Sequence, residues 1–388
     1  MATDAAGNVY VTGETGSSNF PTVNALQATS GGGVDGFVVK INAAGNAFAY
    51  ASYLGGAGFD SATGIAVDSA GSAYVTGFTY SGDFPSVNGL YVLARGSVMA
   101  FVAKISNFTW QAADLTVGSD NKTRLLWNNP NGSSVLWSLT GTTPAPGTVY
   151  GPFAGWSVRA TAAGGDGLTR VLWRNLNDGT TALWLVGANN VLQNAAVFGR
   201  IIGWTPSDIA VGSDNKTRIL WTSTSGAIAI WQVDNSFNVT AITYGPIAGW
   251  TASSITAGAD GLVRLLWTSG NGAAAIWVLG NDGTLQSAAV FGPINGWTAQ
   301  DIAVGGDNQL RILWVNSNRA AVVWTVNSMF AVTSGPVFGP YPGYVPARLS
   351  AGADGLVRLL WNNLNGTAAL WLLNSDDTFN SAATFGPF

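Results

Sequence analysis

Aromatic residues that recur at a fixed spacing are the side chains of this sequence best suited to bind a ligand. Most of them follow a glycine and precede a predicted strand, so we expect them on loops at the grooves between repeated segments. An exposed indole face can stack on the apolar face of a sugar, and nearby Asn and Thr side chains can supply the polar groups of a pocket. The alternative is a loop anchor that fills the crevice between repeats. The candidate ligand-binding residues are Trp110, Trp156, Trp204, Trp250, Trp297 and Tyr344.

An aspartate followed four residues later by an arginine recurs in the same six segments. We interpret each pair as structural, with the guanidinium donating charge-assisted, bidentate hydrogen bonds to the carboxylate of the preceding turn. The alternatives are a solvated turn, whose exposed ion pair contributes about 0–1 kcal/mol, and an arginine that binds a ligand. The pairs are Asp120 with Arg124, Asp166 with Arg170, Asp214 with Arg218, Asp260 with Arg264, Asp307 with Arg311, and Asp354 with Arg358.

The residue after this aspartate alternates between copies. It is asparagine in the first, third and fifth segments (Asn121, Asn215, Asn308) and glycine in the others. Duplication of a two-segment unit explains the alternation, and any pockets are expected to differ between odd and even segments.

The side chains that most often support catalysis or metal binding are missing from the sequence. The chain has no histidine and no cysteine, and Glu14 is its single glutamate. The usual general base, the thiolate nucleophile and the common zinc and copper ligands are therefore absent. The aspartates stand mostly in predicted turns. We therefore predict no enzyme, no cofactor and no metal site.

Charge and hydropathy exclude two classes of partner. The chain has only 16 Lys and Arg residues and a net charge of −4, so it offers little to neutralise the phosphates of a nucleic acid. No apolar run reaches the roughly 18 residues of a membrane span. The N-terminus does not have the pattern of a signal peptide. Because the chain opens inside a repeat, we expect it to be a piece of a longer protein.

The spacing of the tryptophans indicates the elements that position these residues. All 17 tryptophans lie between Trp110 and Trp371, and the unit of about 47 residues has the length of a four-stranded propeller blade. Two further sets stand among Leu, Ile and Ala in predicted strands, so we expect core packing with each indole N–H bonded to a carbonyl of a neighbouring blade. These sets are Trp127, Trp173, Trp221, Trp267, Trp314 and Trp361, and Trp137, Trp184, Trp231, Trp277, Trp324 and Trp371.

The third of these segments illustrates the predicted blade. Its strands are short, apolar on both faces and bounded by Gly, Asn, Asp and Pro. We predict strands at 208–212, 217–221, 228–233 and 240–244.

Residues 1–106 carry a different repeat. The pattern Asp-x-x-Gly-x-x-Tyr-Val-Thr-Gly occurs at 4–13 and 68–77, Phe-Pro at 20–21 and 84–85, and Phe-Val-x-Lys-Ile at 37–41 and 101–105. This order of motifs closely resembles the bacterial SBBP-type β-propeller repeat. The resemblance implies two further blades and no particular chemistry.

Residues 107–388 resemble a diverged VCBS/FG-GAP repeat, through the pattern Gly-x-Asp-Gly-x-x-Arg-Leu-Leu-Trp followed by a second Ala-x-Trp strand. The calcium loop of that family has carboxylates at its first, third, fifth and ninth positions. These positions are Thr256, Gly258, Asp260 and Arg264 here. Calcium needs six or more oxygen ligands, so we expect no calcium site of the family type in these repeats.

Two SBBP-like units and six tryptophan repeats predict an all-β propeller of eight four-stranded antiparallel blades, continuous over 1–106 and 107–388. The second SBBP-like unit lacks a counterpart of residues 47–54, and the first lacks most of its inner strand. The alternative is therefore a six-bladed ring over 107–388 with an appended N-terminal β segment.

Two classes of function fit this architecture. The first is a non-catalytic, lectin-like propeller of a secreted or surface protein that binds glycans in repeated grooves. The second is a structural, adhesion or protein-docking module without a small-molecule ligand. An enzyme is a third and weaker candidate, because a fold alone carries no chemistry.

Overall fold

A computed structural model describes residues 1–4, 7–23, 25–68, 71–85, 98–105, 110–129, 132–153, 155–363 and 366–386. The regular elements of these residues are all β-strands. A search of the same residues finds no helix that could span a membrane. The chain divides into two compact units, Met1–Thr109 with Asn129–Asn131, and Trp110–Asn128 with Gly132–Phe388. The boundary predicted between residues 106 and 107 falls outside the described residues.

The first unit contains two antiparallel sheets. One sheet has the order β1 (Ala2–Thr3), β2 (Val9–Thr15), β3 (Asp35–Ile41) and β4 (Phe48–Leu54). The other has the order β5 (Asp60–Val67), β6 (Ala73–Thr79) and β7 (Met99–Ile105). Among the described residues the second sheet has no fourth strand, as expected because the second repeat lacks a counterpart of residues 47–54. The inner strand β1 of the first sheet has only two residues, as expected because the first repeat lacks most of its inner strand. Tyr10, Val38 and Val75 are fully buried and lie in one hydrophobic cluster of this unit.

The second unit contains six antiparallel sheets, each formed from consecutive strands, which we call blades 1 to 6 in chain order. Blade 1 contains β8 (Gln111–Val117), β9 (Thr123–Asn128), β10 (Ser134–Thr140), β11 (Thr143–Pro144) and β12 (Thr148–Tyr150). Blade 2 contains β13 (Trp156–Ala163), β14 (Thr169–Asn175), β15 (Thr180–Val186) and β16 (Leu192–Arg200). Blade 3 contains β17 (Trp204–Val211), β18 (Thr217–Ser223), β19 (Ile228–Val233) and β20 (Val239–Tyr244).

The last three blades repeat the same four-stranded order. Blade 4 contains β21 (Trp250–Ala257), β22 (Val263–Ser269), β23 (Ala274–Leu279) and β24 (Leu285–Phe291). Blade 5 contains β25 (Trp297–Val304), β26 (Leu310–Asn316), β27 (Ala321–Val326) and β28 (Val332–Phe338). Blade 6 contains β29 (Tyr344–Ala351), β30 (Val357–Asn363), β31 (Ala368–Leu373) and β32 (Phe379–Phe385).

Blade 3 shows how the local sequence produces these strands. The three outer strands lie where they were predicted, but the inner strand begins at Trp204 rather than at residue 208. A β-bulge between Pro206 and Asp208 keeps the register with β18, and β17 is an edge strand, where the missing N–H of proline is tolerated. The turn after β17 needs a left-handed residue, which is Asn215 at φ 58° here and Gly261 at φ 77° in blade 4. Asparagine and glycine both adopt this conformation readily, which accounts for the use of one or the other at this position of every blade.

The six inner strands of the second unit form a closed ring in which β8 and β29 are neighbours. Asn362 donates a hydrogen bond of 2.7 Å to the carbonyl of Ala112, and Nε of Arg358 donates one of 3.3 Å to Thr123. Buried side chains of blades 1 and 6 also share one hydrophobic cluster. The eight antiparallel sheets confirm the all-β propeller prediction. The ring formed by the second unit has six blades, which is the number in the alternative prediction of a six-bladed ring over residues 107–388.

The strand tryptophans pack the interfaces between these blades. The set represented by Trp267 is at most 1% exposed, and the set represented by Trp277 is partly buried. Within a blade the two ring centroids lie 4.7 to 5.4 Å apart. Each tryptophan of the Trp277 set also contacts an aromatic side chain of the preceding blade. The same contact joins the last blade to the first, where Phe385 of blade 6 packs on Trp137 of blade 1. Offset and edge-on ring contacts of this kind add to the free energy gained by burial.

For five of the fully buried tryptophans, the expected hydrogen bond from the indole N–H to a neighbouring carbonyl is not found among the described residues. Burial and ring contacts therefore hold these side chains, at the cost of an unsatisfied N–H. The five are Trp173, Trp221, Trp267, Trp314 and Trp361.

Candidate functional site

One rim of the second unit carries the six aromatic residues that the sequence marked as candidate ligand contacts, and we call it the aromatic rim. Trp110 immediately precedes β8, and the other five are the first residues of inner strands rather than loop residues as predicted. The reason is the bulged pairing that extends each inner strand backwards. The members of the aromatic rim are Trp110, Trp156, Trp204, Trp250, Trp297 and Tyr344.

A tight turn fixes the entry of each inner strand. In blade 4 the main-chain N–H of Trp250 donates a hydrogen bond of 3.0 Å to the carbonyl of Ile247, and Gly249 has φ 80°. Equivalent turns precede Trp156, Trp204, Trp297 and Tyr344. A positive φ favours glycine, which accounts for the glycine that stands before each of these aromatic residues.

Each member of the aromatic rim is partly buried and packs on a hydrophobic cluster between two blades. Trp250 contacts the cluster that contains Leu220 and Ile230 of blade 3 and Trp267 of blade 4. Trp297 contacts the corresponding cluster of blades 4 and 5. Each of these residues packs into the crevice and keeps part of its surface exposed, so the sugar-contact and crevice-filler interpretations both stay predictions. The packing also fixes the orientation of the accessible part.

Polar side chains stand beside these rings at the ends of the second strands. Asparagine or serine is the direct antiparallel partner of five members of the aromatic rim. In blade 2 the turn after β14 also lies beside the aromatic rim. The N–H of Leu176 in this turn donates a 2.7 Å hydrogen bond to the carbonyl of Gly155, the residue before Trp156. The partners are Asn175 for Trp156, Ser223 for Trp204, Ser269 for Trp250, Asn316 for Trp297 and Asn363 for Tyr344.

The Asp–Arg pairs lie at the opposite end of each inner strand, and the structure brings all six pairs together. In each pair the two terminal nitrogens of the arginine donate to the two carboxylate oxygens of the aspartate. The arginines are buried, with 0 to 7% of their surface exposed. Burial alone would raise the pKa of Asp166, but the hydrogen bonds from Arg170 and its neighbours hold it below the ordinary value.

Several of these arginines also fasten one blade to the next. Nη2 of Arg170 donates to the carbonyl of Asn215 at 2.9 Å and to Oδ1 of Asn235 at 2.8 Å, both in blade 3. The amide oxygen of Asn215 in turn accepts a 3.1 Å bond from the N–H of Asp166. Asn308 and Asp260 repeat this bond between blades 5 and 4. Asparagines of odd blades thus cap the turns of even blades, which gives the alternation a structural role.

A cavity of about 120 Å³ lies at the centre of the ring, lined by all six inner strands. Asp114, Asp208 and Asp301 of the odd blades face it, with Ser254 and Arg348 of two even blades. Aspartates were expected mostly in turns, although Asp208 was predicted to begin a strand, and the structure places all three of these aspartates in strands. The signal available in the sequence was an aspartate at the same inner-strand position of every odd repeat.

Hydrogen bonds satisfy the carboxylates around this cavity. Oγ of Ser254 lies 2.9 Å from Oδ2 of Asp208 and 2.8 Å from Oδ1 of Asp301. Nε of Arg348 lies 3.4 Å from Oδ1 of Asp114. The main-chain N–H groups of Thr161 and Leu349 donate to Asp114 and Asp301 at 2.6 and 2.8 Å. These contacts join adjacent blades around the ring, and the one between Arg348 and Asp114 joins blade 6 to blade 1.

Burial dominates the electrostatics of this centre. It raises the pKa of Asp114 to about 7 and that of Asp208 to about 6, although Arg348 acts in the opposite direction. Burial also raises the pKa of Asp301. For Arg348, burial opposes the charged form, but the three carboxylates together raise its pKa. The carboxyl groups of this centre therefore hold their protons more tightly than an exposed aspartate does.

We expect the second unit to be more stable at pH 5 than at pH 7.5. Because the folded-state pKa values of Asp114 and Asp208 exceed the unfolded value of about 3.9, the folded state binds more protons between about pH 4 and pH 7, and stability falls as the pH rises through that window. Tryptophan fluorescence reports this unit alone, since all 17 tryptophans lie in it. Thermal unfolding followed in this way should give a Tm at least about 3 °C higher at pH 5.

Two comparisons make this pH experiment specific. Below about pH 4 the trend should reverse, because the paired aspartates such as Asp166 have a lowered pKa and lose their contribution when protonated. The double variant Asp114→Asn with Asp208→Asn should flatten the difference between pH 5 and pH 7.5. An equal Tm of the unaltered chain at both pH values would contradict the assignment.

Comparisons with known proteins place this geometry among the β-propellers. The SBBP family, described as a beta-propeller repeat, matches residues 1–21 and 49–85. No curated protein matches the chain. AofleA from Arthrobotrys oligospora is 11% identical, with 72% of this chain and 87% of that chain covered and a TM-score of 0.52. At this identity the likeness concerns the fold alone.

Two further solved structures are more distant in shape. The SapL1 lectin in complex with alpha methyl fucoside is 13% identical and covers 71% of this chain and 95% of its own, with a TM-score of 0.49. The PQQ-bound aldose sugar dehydrogenase of Streptomyces coelicolor is 15% identical over 59% of this chain and 81% of its own, with a TM-score of 0.42. The resemblance of residues 107–388 to VCBS/FG-GAP repeats stays a prediction. The SBBP-type prediction is confirmed in that residues 1–21 and 49–85 match the SBBP β-propeller repeat.

Proposed function

We propose that this chain is a non-catalytic, carbohydrate-binding propeller of a secreted or surface protein, and that the aromatic rim binds sugars in the grooves between blades. One observation carries the proposal. Six aromatic residues occupy equivalent positions on one rim, and each packs on a hydrophobic cluster while part of the residue stays exposed. A ring whose orientation is already fixed loses little conformational freedom when a ligand stacks on it.

The polar neighbours of the rings supply the other half of a sugar site. Asn175 stands opposite Trp156, and its Oδ1 accepts a 2.9 Å bond from the N–H of Asn177. This bond orients the amide of Asn175 and leaves its NH₂ group available to a hydroxyl. An apolar face with a few oriented polar groups is the usual composition of a small-ligand pocket. Repetition around the ring would convert weak individual sites into avidity on a multivalent glycan surface.

A second candidate is a protein-docking module that uses the same rim. Ile202 is 81% exposed and Leu176 is 52% exposed, and both stand in turns at this end of the blades. Exposed apolar side chains grouped on one face are typical of protein-interaction surfaces. The experiment below separates the two candidates.

We expect Trp250→Ala to lower glycan binding with a smaller loss of stability than a fully buried tryptophan would cause. A glycan array first identifies a bound sugar, and calorimetry with the free sugar then gives the number of sites. The variant should bind one sugar fewer per chain, because one groove loses its stacking surface. On a multivalent surface the loss should be steeper, since avidity depends on simultaneous engagement of several sites. Far-UV circular dichroism should stay unchanged.

Two comparisons complete this experiment. Val290→Ala changes an exposed side chain on the outer strand of the same blade and should leave binding unaltered. Tyr344 replaces tryptophan in the sixth groove, and its hydroxyl lies 3.2 Å from Oγ1 of Thr367, so this groove should be the weakest. If binding and stability fall in parallel in Trp250→Ala, the ring is a crevice filler. In that case, or if no glycan binds, the docking-module candidate is favoured.

A further inference from the structure

Two glycine-rich segments of the first unit lie side by side and end in the buried aspartates Asp35 and Asp60. Val34 and Phe59 form a parallel bridge, and the N–H of Asp60 donates a 2.7 Å bond to the carbonyl of Val34. Side chains cannot fit between the two segments. A Cβ placed on any residue of 31–33 would lie 2.5 to 2.9 Å from a carbonyl oxygen of 56–58. Glycine is required there because the two backbones approach each other so closely.

The two aspartates have equivalent hydrogen bonds. Oδ2 of Asp35 accepts bonds from the N–H of Gly31 at 3.0 Å and from Oγ of Ser30 at 2.6 Å. Oδ2 of Asp60 accepts bonds of 2.7 Å from the N–H of Gly56 and from Oγ of Ser81. Oδ1 of each aspartate has no hydrogen-bond partner among the residues that the structure describes. Both residues are fully buried, with 0% exposure.

The two carboxylates approach each other at Gly55. A Cβ on Gly55 would lie 2.1 Å from Oδ1 of Asp35 and 2.8 Å from Oδ2 of Asp60. These two oxygens are therefore no more than about 5 Å apart, a distance at which two buried negative charges repel strongly. The ion pairs of the described residues include no lysine or arginine bound to either aspartate. A cation bound between two such carboxylates would offset this repulsion.

We propose that Asp35 and Asp60 bind a divalent cation, Ca²⁺ in preference to Mg²⁺, beside Gly55. Oδ1 of Asp35 lies beside Gly55 without a hydrogen-bond partner among the described residues, and the carboxylate of Asp60 lies there through Oδ2, which also accepts two hydrogen bonds. Carboxylate oxygens are hard ligands of the kind that both ions take, and Ca²⁺ accepts irregular oxygen shells whereas Mg²⁺ requires a near-ideal octahedron. Gln27 lies at the same place, since its Oε1 accepts a 3.1 Å bond from the N–H of Gly55. No cluster of three or more acidic side chains able to hold a metal occurs among the described residues. Main-chain carbonyls and water would therefore complete the shell of a two-carboxylate site.

The sequence limits this site to one copy in the SBBP-type region. In the second repeat, the position that corresponds to Asp35 is Met99, which carries no oxygen ligand. In the tryptophan repeats, in contrast, the turn aspartate of each of the six Asp–Arg pairs is bonded to an arginine. One Ca²⁺ per chain is therefore the expected stoichiometry.

The test is a calorimetric titration of the full chain, freed of metal by a chelator, with Ca²⁺ and separately with Mg²⁺. We expect one Ca²⁺ bound with a Kd at or below about 1 mM, the weak end of calcium modules, and weaker binding of Mg²⁺. Hydrogen–deuterium exchange should slow in peptides that cover 30–36 and 55–60. The tryptophan-fluorescence melting curve should not change with Ca²⁺, because every tryptophan lies in the second unit.

Matched variants assign the ion to these side chains. Asp35→Asn and Gly55→Ala should each weaken Ca²⁺ binding at least ten-fold. Asp68→Asn, which removes an acidic residue paired with Lys104, should retain it. So should Gly16→Ala, where a Cβ would meet its nearest neighbour at an ordinary 3.8 Å. If a site variant does not fold, the titration and the exchange data of the unaltered chain decide the question.

Two results would overturn the proposal. The first is the absence of saturable Ca²⁺ binding up to about 10 mM, beyond the range of calcium modules. The second is binding that persists unchanged in Asp35→Asn. Either result would mean that the two carboxylates at Gly55 do not form a metal site.

Discussion

Replacement of Trp267 by alanine is expected to lower the free energy of unfolding of the second unit by about 3–5 kcal/mol, the usual cost of deleting a large buried aromatic side chain. Trp267 is 1% exposed and packs between blades 3 and 4, with Ile230 of the preceding blade in the same cluster and the ring of Trp277 at 4.9 Å. The surrounding strands are held by hydrogen bonds on both sides and cannot collapse into the cavity. Denaturant unfolding followed by the fluorescence of the remaining tryptophans measures the loss.

The matched control is Trp277→Ala in the neighbouring strand. Trp277 is only partly buried, so its removal should cost clearly less. A near-neutral Trp267→Ala variant would show that this tryptophan does not fill the interface, and the blade packing described here would then be wrong.

Asp166→Ala is expected to destabilise the second unit by about 3 kcal/mol, at the lower end of the cost of breaking a buried ion pair. The substitution leaves Arg170, which is 0% exposed, without its two carboxylate bonds of 2.6 and 2.7 Å. The carbonyls of Leu168 and Asn215 remain as acceptors but carry no charge. Asp166 retains some solvent exposure, which places the expected cost at the lower end.

The same blade provides the controls for this substitution. Asp178 lies in an exposed turn and accepts one main-chain bond from Thr180, so Asp178→Ala should cost less than about 1 kcal/mol. Adding Arg170→Met to Asp166→Ala should recover part of the loss, because an apolar pair avoids the uncompensated buried charge. A cost below about 1 kcal/mol for Asp166→Ala would favour the solvated-turn interpretation.

The positions of the blades could be predicted because one large side chain marks each of their strands. Tryptophan at the position of Trp221 and again at that of Trp231 gives the period, and glycine or asparagine at positive φ marks the turns. The start of the inner strand was misplaced for a physical reason. Trp204 directly follows a glycine and stands two residues before Pro206, a combination typical of a loop. The β-bulge after Pro206 nevertheless keeps residues 204–206 paired in the sheet.

The polar interior was harder to foresee. Asp114, Asp208 and Asp301 stand at the starts of apolar stretches, where an aspartate resembles a turn residue, and closure of the ring brings them around one cavity. The pair Asp35 and Asp60 likewise lies next to glycines that indicate a turn. Such clusters join residues far apart in sequence, and their burial depends on closure and packing that no local pattern encodes.

The contact between blades 6 and 1 has a consequence for the folding kinetics of the ring. Neighbouring blades elsewhere are joined by a short connection, so their contacts are local in sequence and form with little loss of chain entropy. The bonds from Arg358 to Thr123 and from Asn362 to Ala112 join residues 235 and 250 positions apart. No strand is shared across this junction, so side chains alone must offset the entropy of closing so long a loop. We therefore expect this junction to form last, and an open row of blades to precede the closed ring on the folding pathway.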